Sequence, residues 1–248
     1  MSASRLVSRV ATAGAYLRLK QRTAALAAAC TVAIGCIAAP AHAATINRIE
    51  TGSSSTTTFL LSGQLVGGEL LALQAEVAKL PHDRRVAMVL DSPGGLVAEG
   101  LKLGQFFYDA KIATFVFSGG AGCHSACALA FLGGRDAATA KPLRVMMSGA
   151  KLGFHQFSAK FDTSKTYGKK DMTAVVEDTH RVMDAIIGYL HDINESLDFL
   201  PLMLRAPHEA INLVNDDAAL MKGIYVMEQN SQRIIDPGNI VKRRVASR

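Results

Sequence analysis

Residues 1–43 contain no acidic side chain, while Arg5, Arg9, Arg18, Lys20 and Arg22 give them five positive charges. They account for most of the formal charge of +6, because the remainder of the chain holds 22 basic against 21 acidic residues, a net +1. A body so nearly neutral lacks the electrostatic footprint that phosphate backbones require, so nucleic acid is not an expected partner. Long apolar runs are equally scarce: outside residues 23–39 no stretch is long and apolar enough to span hydrocarbon. Of four cysteines only Cys123 and Cys127 lie beyond the leader, with no second pair near them, which is too few for a structural zinc; no metal or other cofactor is expected. There is no internal repeat and no low-complexity stretch after the leader. A 49% hydrophobic composition excludes a purely disordered chain.

The basic leader runs into the uncharged, alanine-rich residues 23–39 and then Ala41-His42-Ala43, a small-x-small cleavage signature. This reads as a secretory signal peptide over residues 1–43, cut after Ala43, which leaves about 205 residues in the periplasm or otherwise exported. An uncleaved leader serving as a membrane anchor is the alternative, but an alanine-dominated run of this length is weakly hydrophobic for ~30 Å of hydrocarbon. Ala33-Ile34-Gly35-Cys36 faintly resembles a lipid-attachment site.

Residues 44–241 read as one α/β domain, followed by a basic tail over 242–248. The spacing predicts strands over 45–51, 56–65, 85–90, 113–117 and 144–157, and helices over 69–80, 96–109, 125–132, 171–193 and 195–205. A polar loop is expected over 158–170. Strand and helix in repeated alternation argue for parallel crossover units.

Chemistry gathers at three places. In Leu90-Asp91-Ser92-Pro93-Gly94-Gly95 a strand ends, proline fixes the chain, and two glycines permit backbone geometry closed to other residues. That turn either aims a backbone N–H into a pocket or merely links strand to helix. In Gly119-Gly120-Ala121-Gly122-Cys123-His124-Ser125-Ala126-Cys127 a serine stands between a glycine-rich turn and a helix of small residues, where it is an N-cap or a nucleophile. For a nucleophile, the Ala126 N–H would face the developing oxyanion, helped by the helix dipole. His155, in Leu152-Gly153-Phe154-His155, is a general base or a structural strand histidine.

Taken together, Leu61-Ser62-Gly63-Gln64, Asp91-Ser92-Pro93-Gly94-Gly95, Cys123-x-Ser125-Ala126-Cys127 and Leu152-Gly153-Phe154-His155 resemble the Clp-protease and crotonase superfamily. The likeness is to its serine-peptidase branch, and more narrowly to exported Clp-like periplasmic proteins with paired cysteines. It covers residues 56–226. The resemblance implies a spiral of repeated ββα units, Ser125 as nucleophile, His155 as base, and the N–H groups of Gly95 and Ala126 as the oxyanion hole. The implied reaction is acyl transfer, peptide hydrolysis. A peptide or protein substrate and a homo-oligomer are then the expected partners; an ATP-dependent unfoldase is not expected outside the cytoplasm.

The third catalytic member departs from the pattern. Counting back from Gly223 by the family's spacing reaches Ile211, which cannot orient an imidazole. Asn212 is the first alternative and Glu209 the second. A serine–lysine arrangement, as in signal-peptide peptidases, would draw on Lys151, Lys169 or Lys170. His124, one residue from Ser125, would point away from it on a helix. His180 and His191 fall on the solvated face of one helix, too far apart to share a metal. Cys123 and Cys127 are either a disulfide bracketing Ser125 or two buried thiols. Two alternatives to the peptidase follow: a catalytically inactive relative that binds peptides in the same groove, and a crotonase-like enzyme acting on an acyl thioester.

Overall fold

The computed structural model describes residues 43–53, 55–158 and 164–238; the leader before Ala43 and the basic tail lie outside them. Seven strands form the main sheet in the order β1 (Thr45–Ile49), β2 (Thr56–Ser62), β3 (Arg85–Asp91), β4 (Ala113–Val116), β6 (Arg144–Met147), β9 (Tyr225–Met227) and β10 (Ile234–Ile235). The five from β2 to β9 run parallel, and β1 and β10 close the two edges antiparallel. A mostly parallel sheet buried on both faces demands continuous apolar runs, and β3, with five buried residues in a row, meets that demand.

Three short strands make a second sheet, β5 (Cys123–His124), β7 (Leu152–Phe154) and β8 (Asn212–Val214), in which β5 and β7 are parallel and β8 antiparallel to β7. The helices are α1 (Glu69–Val77), α2 (Val97–Asp109), α3 (Ala126–Leu132), α4 (Lys169–Asp192), α5 (Leu200–Leu204) and α6 (Asp216–Met221). The fold is therefore mixed α/β around a parallel sheet.

Every residue of α3 is buried, which explains its composition. A Cβ added to Gly100 of α2 would stand 2.3 Å from the Ala126 carbonyl oxygen, so α2 reaches the first turn of α3 through bare backbone. Tyr189 of α4 covers the same helix and donates its hydroxyl to the Leu129 carbonyl at 2.8 Å. These contacts fix the serine-bearing helix against two neighbours before any catalytic question arises.

Two expected elements are corrected. Residues 144–157 are not one strand: after Met147 the chain turns through Ser148 and Gly149, which has φ +77°, and enters the second sheet as β7. Residues 195–205 are not one helix either. They form a 3-10 turn (Leu197–Phe199) and the short α5, with Pro201 in its first turn, where no donor is needed. Among the described residues no helix is long and apolar enough to cross a membrane.

Candidate active site

The three chemical places are laced together by backbone. Ser92 N–H donates to the Gly122 carbonyl at 2.7 Å and His124 N–H to the Ser92 carbonyl at 3.0 Å. On the other side of β5, Cys123 N–H donates to Lys151 at 2.8 Å and Ser125 N–H to Gly153 at 3.0 Å. The end of β3 thus lies beside β5, and β5 beside β7. Asp91 secures the glycine-rich turn by accepting Gly122 N–H on Oδ1 at 3.0 Å.

Ser125 occupies the N-cap position of α3 without capping it. An N-cap has extended φ and ψ and a side-chain oxygen that accepts from the first turn. Ser125 has φ 56° and ψ −124°, and its side chain makes no cap hydrogen bond. Holding a non-glycine residue there costs on the order of 1–3 kcal/mol, and such residues concentrate at functional sites. The hydroxyl makes no hydrogen bond among the described residues.

The proline-glycine turn lies against this serine. A Cβ on Gly94 would be 2.7 Å from Ser125 Cβ and 3.1 Å from Ala126 N, a distance only glycine tolerates, and its φ of +94° demands glycine as well. The Gly94 N–H donates to Ser92 Oγ at 3.1 Å, which leaves the next amide to face elsewhere. Gly95 N–H and Ala126 N–H have no acceptor among the described residues. The turn is braced from outside by Leu65, whose N–H donates to Gly94 and whose carbonyl accepts from Leu96. Two buried carboxylates hold the loop that follows: Glu69 accepts the Val66 and Gly67 amides, and Glu99 those of Gly68 and Leu70.

His155 follows β7 and is partly exposed. No hydrogen bond joins it to Ser125; its Nδ1 lies 2.7 Å from the carbonyl oxygen of its neighbour Gln156. Asn212 pairs with Phe154 in the β7–β8 register and donates its amide to the Leu202 carbonyl at 3.1 Å. Asn212 therefore shares the face of Phe154, while Ile211, just before β8, lays its side chain over Gly153. Glu209 is exposed and forms no ion pair among the described residues. Lys151, Lys169 and Lys170 are exposed, and none bonds to Ser125.

Sequence reasoning missed two neighbours of His155. His208 packs its ring 5.3 Å from that of His155, centroid to centroid, and Gln156 meets its Nδ1. No spacing signalled His208, which sits in the irregular segment before β8.

His124 is not on a helix but on β5, and it is buried. Its Nε2 lies 3.0 Å from the Ala121 carbonyl, while Nδ1 has no partner among the described residues. Burial holds its pKa below the ordinary value, against the pull of the Ala121 bond. Cys123 and Cys127 are joined as a disulfide, Cα atoms 5.3 Å apart, and both are buried. His180 and His191 are exposed on α4. No group of three or more metal-ligating side chains occurs among the described residues.

A groove of about 390 Å³ runs beside the site between α2 and α4, lined by Val97, Leu101, Phe157, Val175 and Val182. Val97 follows Gly95 by two residues, and Phe157 follows His155 by two. A larger cavity of about 510 Å³ lies at the opposite end of β3, among Arg84, Arg85 and Lys111. Open α/β sheets bind ligands at the carboxyl ends of their strands, which favours the apolar groove. No protein-family model matches the chain, and no curated protein matches it.

Proposed function

We propose that the chain is an exported serine hydrolase of the Clp and crotonase type, a spiral of ββα units that cleaves peptides. The observation that carries this reading is the backbone of Ser125, turned to φ 56° at the start of α3 with its hydroxyl making no hydrogen bond among the described residues. A serine placed for capping has no reason to bear that strain. Two amides without an acceptor among the described residues, that of Ala126 next in the chain and that of Gly95 beside the glycine packed on Ser125, would supply what an oxyanion needs. In this reading Ser125 Oγ attacks the scissile carbonyl, its proton passes to His155 Nε2 and then to the leaving amine, and water releases the acyl group. The apolar groove between α2 and α4 receives an apolar side chain of the substrate. The working form is a homo-oligomer, freed of its leader outside the cytoplasm.

Two observations favour a second reading, a peptide-binding relative without catalysis: no hydrogen bond links Ser125 to His155, and Ile211 occupies the position where the resemblance puts an acidic third member. The two are separated by incubating the protein with peptides that carry an apolar residue before the scissile bond. The hydrolase reading expects cleavage that Ser125→Ala abolishes. Saturable binding with no cleavage, unchanged in Ser125→Ala, selects the binding protein instead.

A further inference from the structure

The Nδ1 of His155 lies within hydrogen-bond distance of an oxygen that can only accept, the Gln156 carbonyl at 2.7 Å. In the neutral ring the proton must therefore sit on Nδ1, and Nε2 keeps the lone pair that a general base needs. The acceptor is itself held at both ends of its residue. Gln156 N–H donates to the Ala206 carbonyl at 2.9 Å, and its side-chain Nε2 donates to the Leu204 carbonyl at 2.7 Å. Of the residues at the start of β8, Ile211 lies over Gly153 and carries no acceptor, and the Asn212 amide is turned to Leu202.

We propose that Gln156 is a positioning residue for His155, its main-chain carbonyl fixing the tautomer that an acidic third member would otherwise fix, and its side chain clamping that carbonyl to the end of α5. The proposal rests on the serine-hydrolase reading of the same site. As the Ser125 Oγ–carbon bond forms, the hydroxyl proton moves to Nε2, and it leaves with the departing amine when the scissile bond breaks. The Nδ1 proton stays on the ring throughout, donated to Gln156. A neutral carbonyl orients the ring but balances the imidazolium charge less well than a carboxylate, so the enzyme is slow beside one with an acidic third member.

The test has two arms on the intact protein. Nitrogen-15 NMR of the histidine side chains, with His155→Ala assigning the signal, is expected to find the Nδ1–H tautomer in neutral His155. The rate of Ser125 labelling by a fluorophosphonate is expected to fall about five-fold in Gln156→Ala, the worth of one neutral hydrogen bond. Ile211→Asp in that background is expected to restore it by bringing a carboxylate to the ring. A labelled Ser125 with His155 as the Nε2–H tautomer overturns this proposal alone, as does an unchanged rate in Gln156→Ala. A wild-type protein that never labels overturns the hydrolase reading, and the proposal with it.

Discussion

Ser125 donates its backbone N–H to the carbonyl of Gly153 at 3.0 Å, so the strained serine is tied to the strand that leads, two residues on, to His155. Candidate nucleophile and candidate base are thereby connected through main chain alone. Movement of one strand carries both, which is how a rigid scaffold preserves a geometry that side chains complete.

The strain at Ser125 gives the first prediction. Glycine adopts φ 56° and ψ −124° freely, so Ser125→Gly should raise the stability by about 1 kcal/mol, the relieved strain less the entropy glycine adds to the unfolded chain. For a chain of this size that is a rise of roughly 2–4 °C in the thermal midpoint, together with complete loss of labelling. A lower midpoint for the glycine variant would mean that the serine side chain supports the fold and that its backbone is not a functional compromise.

The disulfide should matter more to the site than to the fold. It closes a loop of only a few residues, so its removal from the unfolded chain's constraints is worth about 2 kcal/mol at most. Reduction, or Cys123→Ser with Cys127→Ser, is expected to leave a folded protein that labels more slowly, because the bond brackets the turn of Ser125. Denaturing thiol counts on protein from the cell envelope should find none free. Equal labelling rates in oxidised and reduced protein would remove the disulfide from the mechanism.

His124 sets a pH dependence. Its native pKa lies below the ordinary value of about 6.5 because burial disfavours the charged ring. Between the two values the unfolded chain binds the extra proton and the native protein does not, so stability is full above about pH 6.5 and falls as the pH drops toward the lowered native value. Denaturant titrations from pH 8 to 5 should record that decline, and His124→Phe should flatten it. A stability that rises on acidification over this range would contradict the assignment.

Much of the main sheet was legible because parallel strands need unbroken apolar runs, and Val86 to Leu90 and Ala113 to Val116 are short runs of that kind. The small residues over 125–132 likewise read as a helix, and the structure presses it against bare backbone at Gly100. What escaped reading were strands of two or three residues, β5, β8, β9 and β10, which are defined by their pairing partners and carry no period of their own. The polar partners escaped for a related reason. Asn212 looked available by chain position, yet pairing with Phe154 turns it to the wrong face, and the acceptor for His155 proved to be a main-chain oxygen, which every residue possesses.

Covalent modification is the direct readout of the nucleophilic role proposed for Ser125. The protein is treated with a fluorophosphonate, digested, and the adduct located by mass spectrometry. A single adduct on Ser125 is expected, absent in Ser125→Ala and slowed by at least a hundred-fold in His155→Ala, since base and nucleophile act as a unit. An adduct that persists in Ser125→Ala, or folded protein that takes up no label at all, would contradict the account.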